Sequence, residues 1–339
     1  MSHLPIIGIT MGDPSGIGPE IIRKALSDSK IYEICRPVVW GDAGALSVKI
    51  HGVSGKPIRE ISSPLEAGGD PGGIDLIAVS QLGKEAITPG IPRVEGGEAM
   101  VSYISKAVET AQRGEIAAIV TGPINKALMH EAGYSFDGHT PLIAHLTNTK
   151  DYVMMLAGNR LKVTLATIHC ALERVPYILN TDRIHRTIWM TWQALRLDFG
   201  IKEPRLGVAA LNPHGGESGL FGSEEDRMIG PAVERAMSDG CLVEGPFPAD
   251  TLFYKASKGE FDAVVAMYHD QGLIPLKLLH FSDAVNITLG LPIVRTSADH
   301  GTAYDIAGKG VADPSSLKAA ICMAVTVAEN RARGKGLSS

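Results

Sequence analysis

The chain has 339 residues, 45% hydrophobic and 20% charged, with 32 Lys and Arg against 37 Asp and Glu for a formal net charge of −5. That length exceeds one ordinary hydrophobic core and implies two domains or lobes, and the composition excludes a disordered or fibrous chain. A mildly acidic balance lacks the footprint of a nucleic-acid binder, and no apolar run approaches the roughly 18 residues of a membrane span.

Short apolar runs alternate with segments of helical period, the pattern of an α/β protein with a mostly parallel sheet. Strands are expected at 6–11, 37–40, 117–121, 152–157, 162–168, 205–211, 262–267 and 284–288, and helices at 19–26, 97–113, 181–199, 223–238 and 314–331. The last helix carries Ala319, Ala320, Met323, Ala324 and Val327, a helix-spaced stripe that reads as core. Residues 62–97, rich in Gly and Pro and loosest at 68–73, read as an irregular excursion and a poor place for chemistry. Residues 334–339 read as a low-complexity tail, and there is no internal repeat. The cysteines, Cys35, Cys170, Cys241 and Cys322, form no close pair and point to a reducing compartment. Residues 1–5 carry no basic leader, so the expected location is the cytoplasm.

The first glycine cluster, Gly12-Asp13-Pro14-Ser15-Gly16-Ile17-Gly18-Pro19-Glu20, follows a strand and opens a helix, with Pro19 suited to the first turn. Its spacing is G-x-x-x-G-x-G rather than the dinucleotide fingerprint G-x-G-x-x-G, and Asp42 is loosely placed for a ribose carboxylate. A tight strand-to-helix turn explains each glycine on its own.

A stronger pattern is three histidines, His169, His214 and His269, each just beyond an apolar strand candidate. In an open parallel sheet the carboxyl ends of the strands face the ligand, and three imidazoles with an open position suit a catalytic divalent ion, Zn²⁺ first, with Mg²⁺ or Co²⁺ as alternatives. Read singly, each is an ordinary loop or core histidine. Asp250 and Asp270 are placed to orient such ligands.

A further set suits a small anion. Thr121-Gly122-Pro123-Ile124-Asn125-Lys126 follows a strand, Gly138-His139-Thr140 forms a glycine-led turn, and Lys277, Asn286 and Arg295 add two cations and an amide. The run from Asp299 to Gly310 combines a glycine turn, polar side chains and a potential helix start, a loop with ligand-binding character.

Met11 to Glu20, Thr121-Gly122-Pro123, Gly138-His139-Thr140, Asn212-Pro213-His214-Gly215-Gly216-Glu217, Tyr268-His269-Asp270-Gln271-Gly272 and Asn286 to Pro292 together resemble the PdxA family, the 4-hydroxythreonine-4-phosphate dehydrogenases of pyridoxal phosphate synthesis. One difference is Gly215, where the family commonly has alanine. The run from His300 to Gly310 also resembles the nucleotide loop of the isocitrate and isopropylmalate dehydrogenases. These resemblances imply a two-lobed α/β fold of that kind with the active site in the interdomain cleft, residues 1–125 plus 300–339 forming one lobe and 126–299 the other. They imply NAD or NADP held outside a Rossmann site by His300, Gly301, Thr302 and Asp305, with Asp299 also near the ribose. His169, His214 and His269 become the metal ligands, and His139, Thr140, Lys277, Asn286 and Arg295 the contacts to a phosphorylated hydroxy-acid substrate. In the family the metal site is shared across a homodimer, His169 and His214 from one subunit and His269 from its partner.

The implied reaction is hydride transfer from the carbinol carbon to NAD(P)⁺, followed by loss of CO2 from the β-keto acid, with the metal as Lewis acid. Lys277 and His139 are the candidates for proton transfer. The nearest alternative oxidises 4-phospho-D-threonate or 4-phospho-D-erythronate in sugar-acid breakdown, a change from amine to hydroxyl beside the reacting carbon. A metal-dependent hydrolase or aldolase leaves the 300–310 loop unexplained, and a non-catalytic phosphometabolite binder, the least specific alternative, is eliminated by metal-dependent turnover.

Overall fold

A computed structural model describes residues 4–53 and 55–336; residues 1–3 of the amino terminus and 337–339 of the expected tail lie outside the described residues. The chain divides into two compact units, Met1–Lys150 with Leu291–Glu329, and Asp151–Gly290 with Asn330–Ser339. The sequence reading sets its breaks at 125 and 299. In the structure the breaks move because helices Lys126–Glu131 and His139–Leu146 pack on the long helix Val94–Gln112, and a strand at Arg295–Ala298 joins the first unit's sheet.

In chain order the strands are β1 (Ile6–Thr10), β2 (Arg36–Asp42), β3 (Ile58–Glu60), β4 (Ile74–Ser80), β5 (Ala118–Thr121), β6 (Val153–Ala157), β7 (Lys162–Leu165), β8 (Arg205–Ala209), β9 (Leu242–Phe247), β10 (Ala263–Ala266), β11 (Val285–Leu289) and β12 (Arg295–Ala298). The first unit's sheet runs β3-β4-β2-β1-β5-β12 with every pairing parallel. Strands buried on both faces read as continuous apolar runs, and β1 and β5 are buried at every position. The expected excursion at 62–97 is corrected here: β4 lies inside it, between β3 and β2, with Ile74 and Leu76 in the core. The loose turn at 68–73 precedes the strand, whose own run Ile74 to Val79 is apolar apart from Asp75, and pairing to two neighbours fixes its place in the sheet.

The second unit's sheet runs β11-β6-β7-β10-β8-β9, antiparallel from β11 through β7 and parallel from β7 to β9. Leu156, Val163, Leu165, Leu252, Val264 and Leu276 belong to its core. The end of helix Ser315–Gly336 belongs to this unit, where Arg331 Nε donates to Asp198 Oδ1 (2.6 Å) and Asn330 Nδ2 to Asp198 O (2.8 Å).

Gly18 opens the first helix where a Cβ would stand 2.1 Å from the Met11 carbonyl oxygen. Backbone cannot yield there as a side chain can, so Gly18→Ala is expected to lower stability by about 1–3 kcal/mol, read as a reduced midpoint in urea denaturation.

Candidate functional site

In the first unit, the loop after β1 is packed against two others. Asp13 N–H donates to Pro123 O (2.9 Å), Gly122 N–H to Thr10 O (2.9 Å) and Ile17 N–H to Thr302 O (3.0 Å). The glycine cluster is therefore a meeting point of backbones. Asp42, at the end of β2, accepts from Ala45 N–H (3.0 Å), Ser80 Oγ (2.9 Å) and Leu82 N–H (2.8 Å), bonds that fasten its own turn.

His139 and Thr140 do not lie in a turn. They are the first residues of helix His139–Leu146, behind Gly138 at φ 135, with no side chain capping the helix. An uncapped N-terminus presents amide donors and a positive dipole end. Arg295, the first residue of β12, is buried, and its Nη2 donates to Thr121 Oγ1 (2.9 Å). Burial pushes its guanidinium down to about 9. Burial, with the Arg295 and Lys126 charges added, holds His139 well below the ordinary imidazole value, while its ring bonds the Gly122 backbone. His139 Nε2 is shut off from solvent and makes no hydrogen bond among the described residues. A neutral imidazole, a guanidinium and an open helix end form an anion-binding set.

The run from Asp299 to Gly310 contains turns and no helix; the helix begins at Ser315, where Asp313 Oδ1 accepts the Ser315 N–H (2.9 Å). Within the loop His300 Nε2 is buried without a partner among the described residues, and burial lowers its pKa. Thr302 is half-buried, Gly301 and Asp305 exposed. A buried orphan nitrogen beside exposed loop groups fits a polar ligand such as a nucleotide.

In the second unit, β7, β10 and β8 are neighbours and parallel, so His169, His269 and His214 follow the carboxyl ends of three adjacent strands. Thr167 Oγ1 donates to Met267 O (2.7 Å), Met267 N–H to Gln271 Oε1 (2.7 Å) and Gln271 Nε2 to Ala210 O (2.6 Å), which ties the three strand ends together. The His169 and His269 rings lie 5.6 Å apart between centroids. His269 Nδ1 pairs with Asp270 Oδ1 at 2.7 Å, the arrangement that directs the other ring nitrogen toward a metal. Asp250 instead accepts from its neighbour Thr251 N–H (2.9 Å).

His214 sits in a left-handed turn at φ 53. Glu225 builds that turn: its Oε1 accepts from Leu211 and Asn212 N–H, each at 2.8 Å. Among the described residues no three His, Cys, Asp or Glu side chains gather closely enough to hold an ion within one chain. Within the chain His169 and His269 approach each other ring to ring. Imidazole pairs remain the right donors for Zn²⁺. Lys277 lies in the last turn of His269–Leu279, the helix His269 begins, and Asn286 on β11.

The chain matches the family model described as "Pyridoxal phosphate biosynthetic protein PdxA" over residues 33–324. The chain belongs to the PdxA family. It is 54% identical over 323 residues to the "4-hydroxythreonine-4-phosphate dehydrogenase" of Desulforapulum autotrophicum, covering 94% of each chain. It is 46% identical over 333 residues to the "D-threonate 4-phosphate dehydrogenase" of Cupriavidus necator, covering 97% of this chain and 99% of that one. The crystal structure of 4-hydroxythreonine-4-phosphate dehydrogenase from Klebsiella pneumoniae superimposes with a TM-score of 0.89 at 43% identity, over 97% of this chain and 99% of that one.

For this PdxA-family chain the sequence reading overlooks Asp13, Asn125, Glu225, Gln271 and Tyr304, which hold the candidate groups in place. All but Glu225 stand inside motifs already singled out. Asp13, Asn125 and Tyr304 are polar side chains in loops that border apolar strands, and Gln271 and Glu225 stand in the first turns of helical segments, places where turn backbone needs partners.

Because His139 is less basic in the folded chain than an unfolded imidazole at 6.5, the unfolded state takes up the proton first. This contribution to stability is present above pH 6.5 and is lost as pH falls through that value toward the folded pKa. His139→Gln is expected to lose less stability than the parent between neutral pH and about pH 5, measured by denaturant midpoints at each pH.

Proposed function

We propose that the chain catalyses the NAD(P)-dependent, divalent-metal-dependent oxidation of 4-phosphohydroxy-L-threonine and the decarboxylation that follows, giving 3-amino-2-oxopropyl phosphate and CO2 for pyridoxal 5′-phosphate synthesis. The observation that carries the reading is 54% identity, over 94% of both chains, to an enzyme of that name. It is an oxidoreductase of the PdxA family, and its four free cysteines support a cytoplasmic setting.

When bound, NAD or NADP accepts the hydride and a divalent ion, Zn²⁺ or alternatively Mg²⁺ or Co²⁺, supplies Lewis acidity at the reacting oxygen. Arg295, Thr140 and the open end of helix His139–Leu146 hold substrate anions. His139, kept neutral by its surroundings, accepts or donates a hydrogen bond without adding charge. Lys277 is the second candidate for the proton, on the helix that starts with His269; Asn286 orients the polar end of the substrate. His300, Gly301, Thr302 and Asp305 hold the nucleotide.

The metal donors are His169, His214 and His269, and the set is completed by a second copy of the chain. Two observations support this: one chain gathers fewer than three donors among the described residues, and helix His269–Leu279 exposes Ile274 and Leu278, one turn apart, with Phe281 beyond. Apolar side chains so exposed favour burial against a partner.

The 46% identity to a D-threonate 4-phosphate dehydrogenase sustains a second reading. The deciding experiment is NAD(P)H formation by metal-reconstituted protein with 4-phosphohydroxy-L-threonine, 4-phospho-D-threonate and 4-phospho-D-erythronate under one set of conditions. Preference for the amino acid is the expected result, and preference for a sugar acid overturns the substrate while leaving the reaction class. His214→Ala is expected to lose bound metal and turnover together with little change in thermal midpoint; full activity at full metal content removes His214 from the ligand set.

A further inference from the structure

The motif from Gly12 to Glu20 takes no part in the proposed chemistry, yet both of its carboxylates are almost wholly buried, Asp13 at 0% and Glu20 at 1% exposed. A buried carboxylate persists only where donors compensate its lost hydration. At Asp13 those donors are specific. Oδ1 accepts from Ser15 N–H (2.8 Å) and Ser15 Oγ (2.7 Å), and Oδ2 accepts from the Tyr304 hydroxyl. Tyr304 in turn accepts from Asn125 Nδ2 (2.9 Å) and bonds the Thr302 side chain.

The same motif meets Thr302 through the backbone. Ile17 N–H donates to Thr302 O (3.0 Å), and a Cβ on Gly16 would stand 3.0 Å from that oxygen. Glu20 holds the far end of the loop: its Oε1 accepts from Ala312 N–H (2.9 Å), and Lys24, paired with Glu20 at 2.9 Å, donates to Gly310 O (2.8 Å) and Ala312 O (2.7 Å). Residues 300–310 form neither helix nor strand, so no regular element sets the direction of Thr302; these contacts do.

We propose that Asp13 is a positioning residue for the nicotinamide nucleotide, acting through the Tyr304 hydroxyl to fix Thr302 and the 300–310 loop, with Glu20 anchoring the loop's other end. The inference rests on reading that loop as the nucleotide site. Tyr304 itself has its hydroxyl fully engaged and positions without touching the cofactor. The proposal also accounts for the unusual glycine spacing, since Gly16 admits the loop rather than a phosphate.

Tyr304→Phe tests it with the least disturbance, because the ring stays and only the hydroxyl is lost; Asp13→Asn is the companion variant. Dissociation constants for NADH and NADPH are measured by fluorescence titration of the full-length, metal-loaded protein, alongside thermal midpoints and the separate KM values for nucleotide and phosphorylated substrate. Loss of hydrogen bonds to a charged group predicts nucleotide binding weaker by about 10-fold or more, with substrate KM moving less than about twofold. A folded Tyr304→Phe protein that binds dinucleotide as tightly as wild type, or that loses substrate affinity as much as nucleotide affinity, overturns the positioning role alone. Wild-type protein that binds neither dinucleotide overturns the cofactor assignment and this inference with it.

Discussion

Parallel pairing puts the carboxyl ends of neighbouring strands on one edge, and most of the candidate chemistry in both units depends on that constraint. In the second unit β7, β10 and β8 place three histidine-bearing loops side by side although the histidines lie far apart in sequence. In the first, the loops after β1, β5 and β12 meet through main-chain hydrogen bonds. Arg295 is the exception: it starts β12, and its length carries the guanidinium to Thr121 at the end of β5. A short side chain at 295 has no such reach.

Polar groups buried on that edge divide into two kinds. Asp13, Glu20, Asp42 and Glu225 each spend their oxygens on backbone amides and side chains of neighbouring turns and loops within their own unit. Their energetic role is to keep irregular backbone satisfied where no helix or sheet does so. His139 and His300 each retain a buried nitrogen with no partner among the described residues, and such atoms carry a desolvation cost that a ligand relieves. Thr10 Oγ1 and Trp192 Nε1 are orphaned in the same way, so the feature makes His139 and His300 candidates for ligand contact without assigning them that role.

The alternation of elements, the three strand-end histidines and the polar loops were legible in the sequence because each rests on local pattern. Less legible were β3, β9 and β12, whose order comes from their neighbours rather than from a long apolar run, and β4, an apolar run placed directly behind the glycine-rich turn at 68–73. Helices Lys126–Glu131, His139–Leu146 and His269–Leu279 also escaped local reading, since a few turns carry too little periodicity and Pro275 interrupts the third. Supports such as Glu225 and Tyr304 act over 13 and 291 residues of separation, which no local pattern encodes. Asp270 was legible because it adjoins the histidine it orients.

The failure of the dinucleotide fingerprint has a structural cause. In a Rossmann site the glycines bring backbone to a pyrophosphate and an acidic residue at the end of the second strand takes the ribose. Here the space beside Gly16 is filled by Thr302, and Asp42 at the end of β2 is committed to Ala45, Ser80 and Leu82. Both positions a Rossmann site would use are thus spent on internal structure, and two other buried carboxylates, Asp13 and Glu20, grip the loop from Thr302 to Ala312. On the proposed cofactor assignment, the first glycine turn clamps the loop that recognises the nucleotide, and the rigidity of that loop becomes part of cofactor affinity.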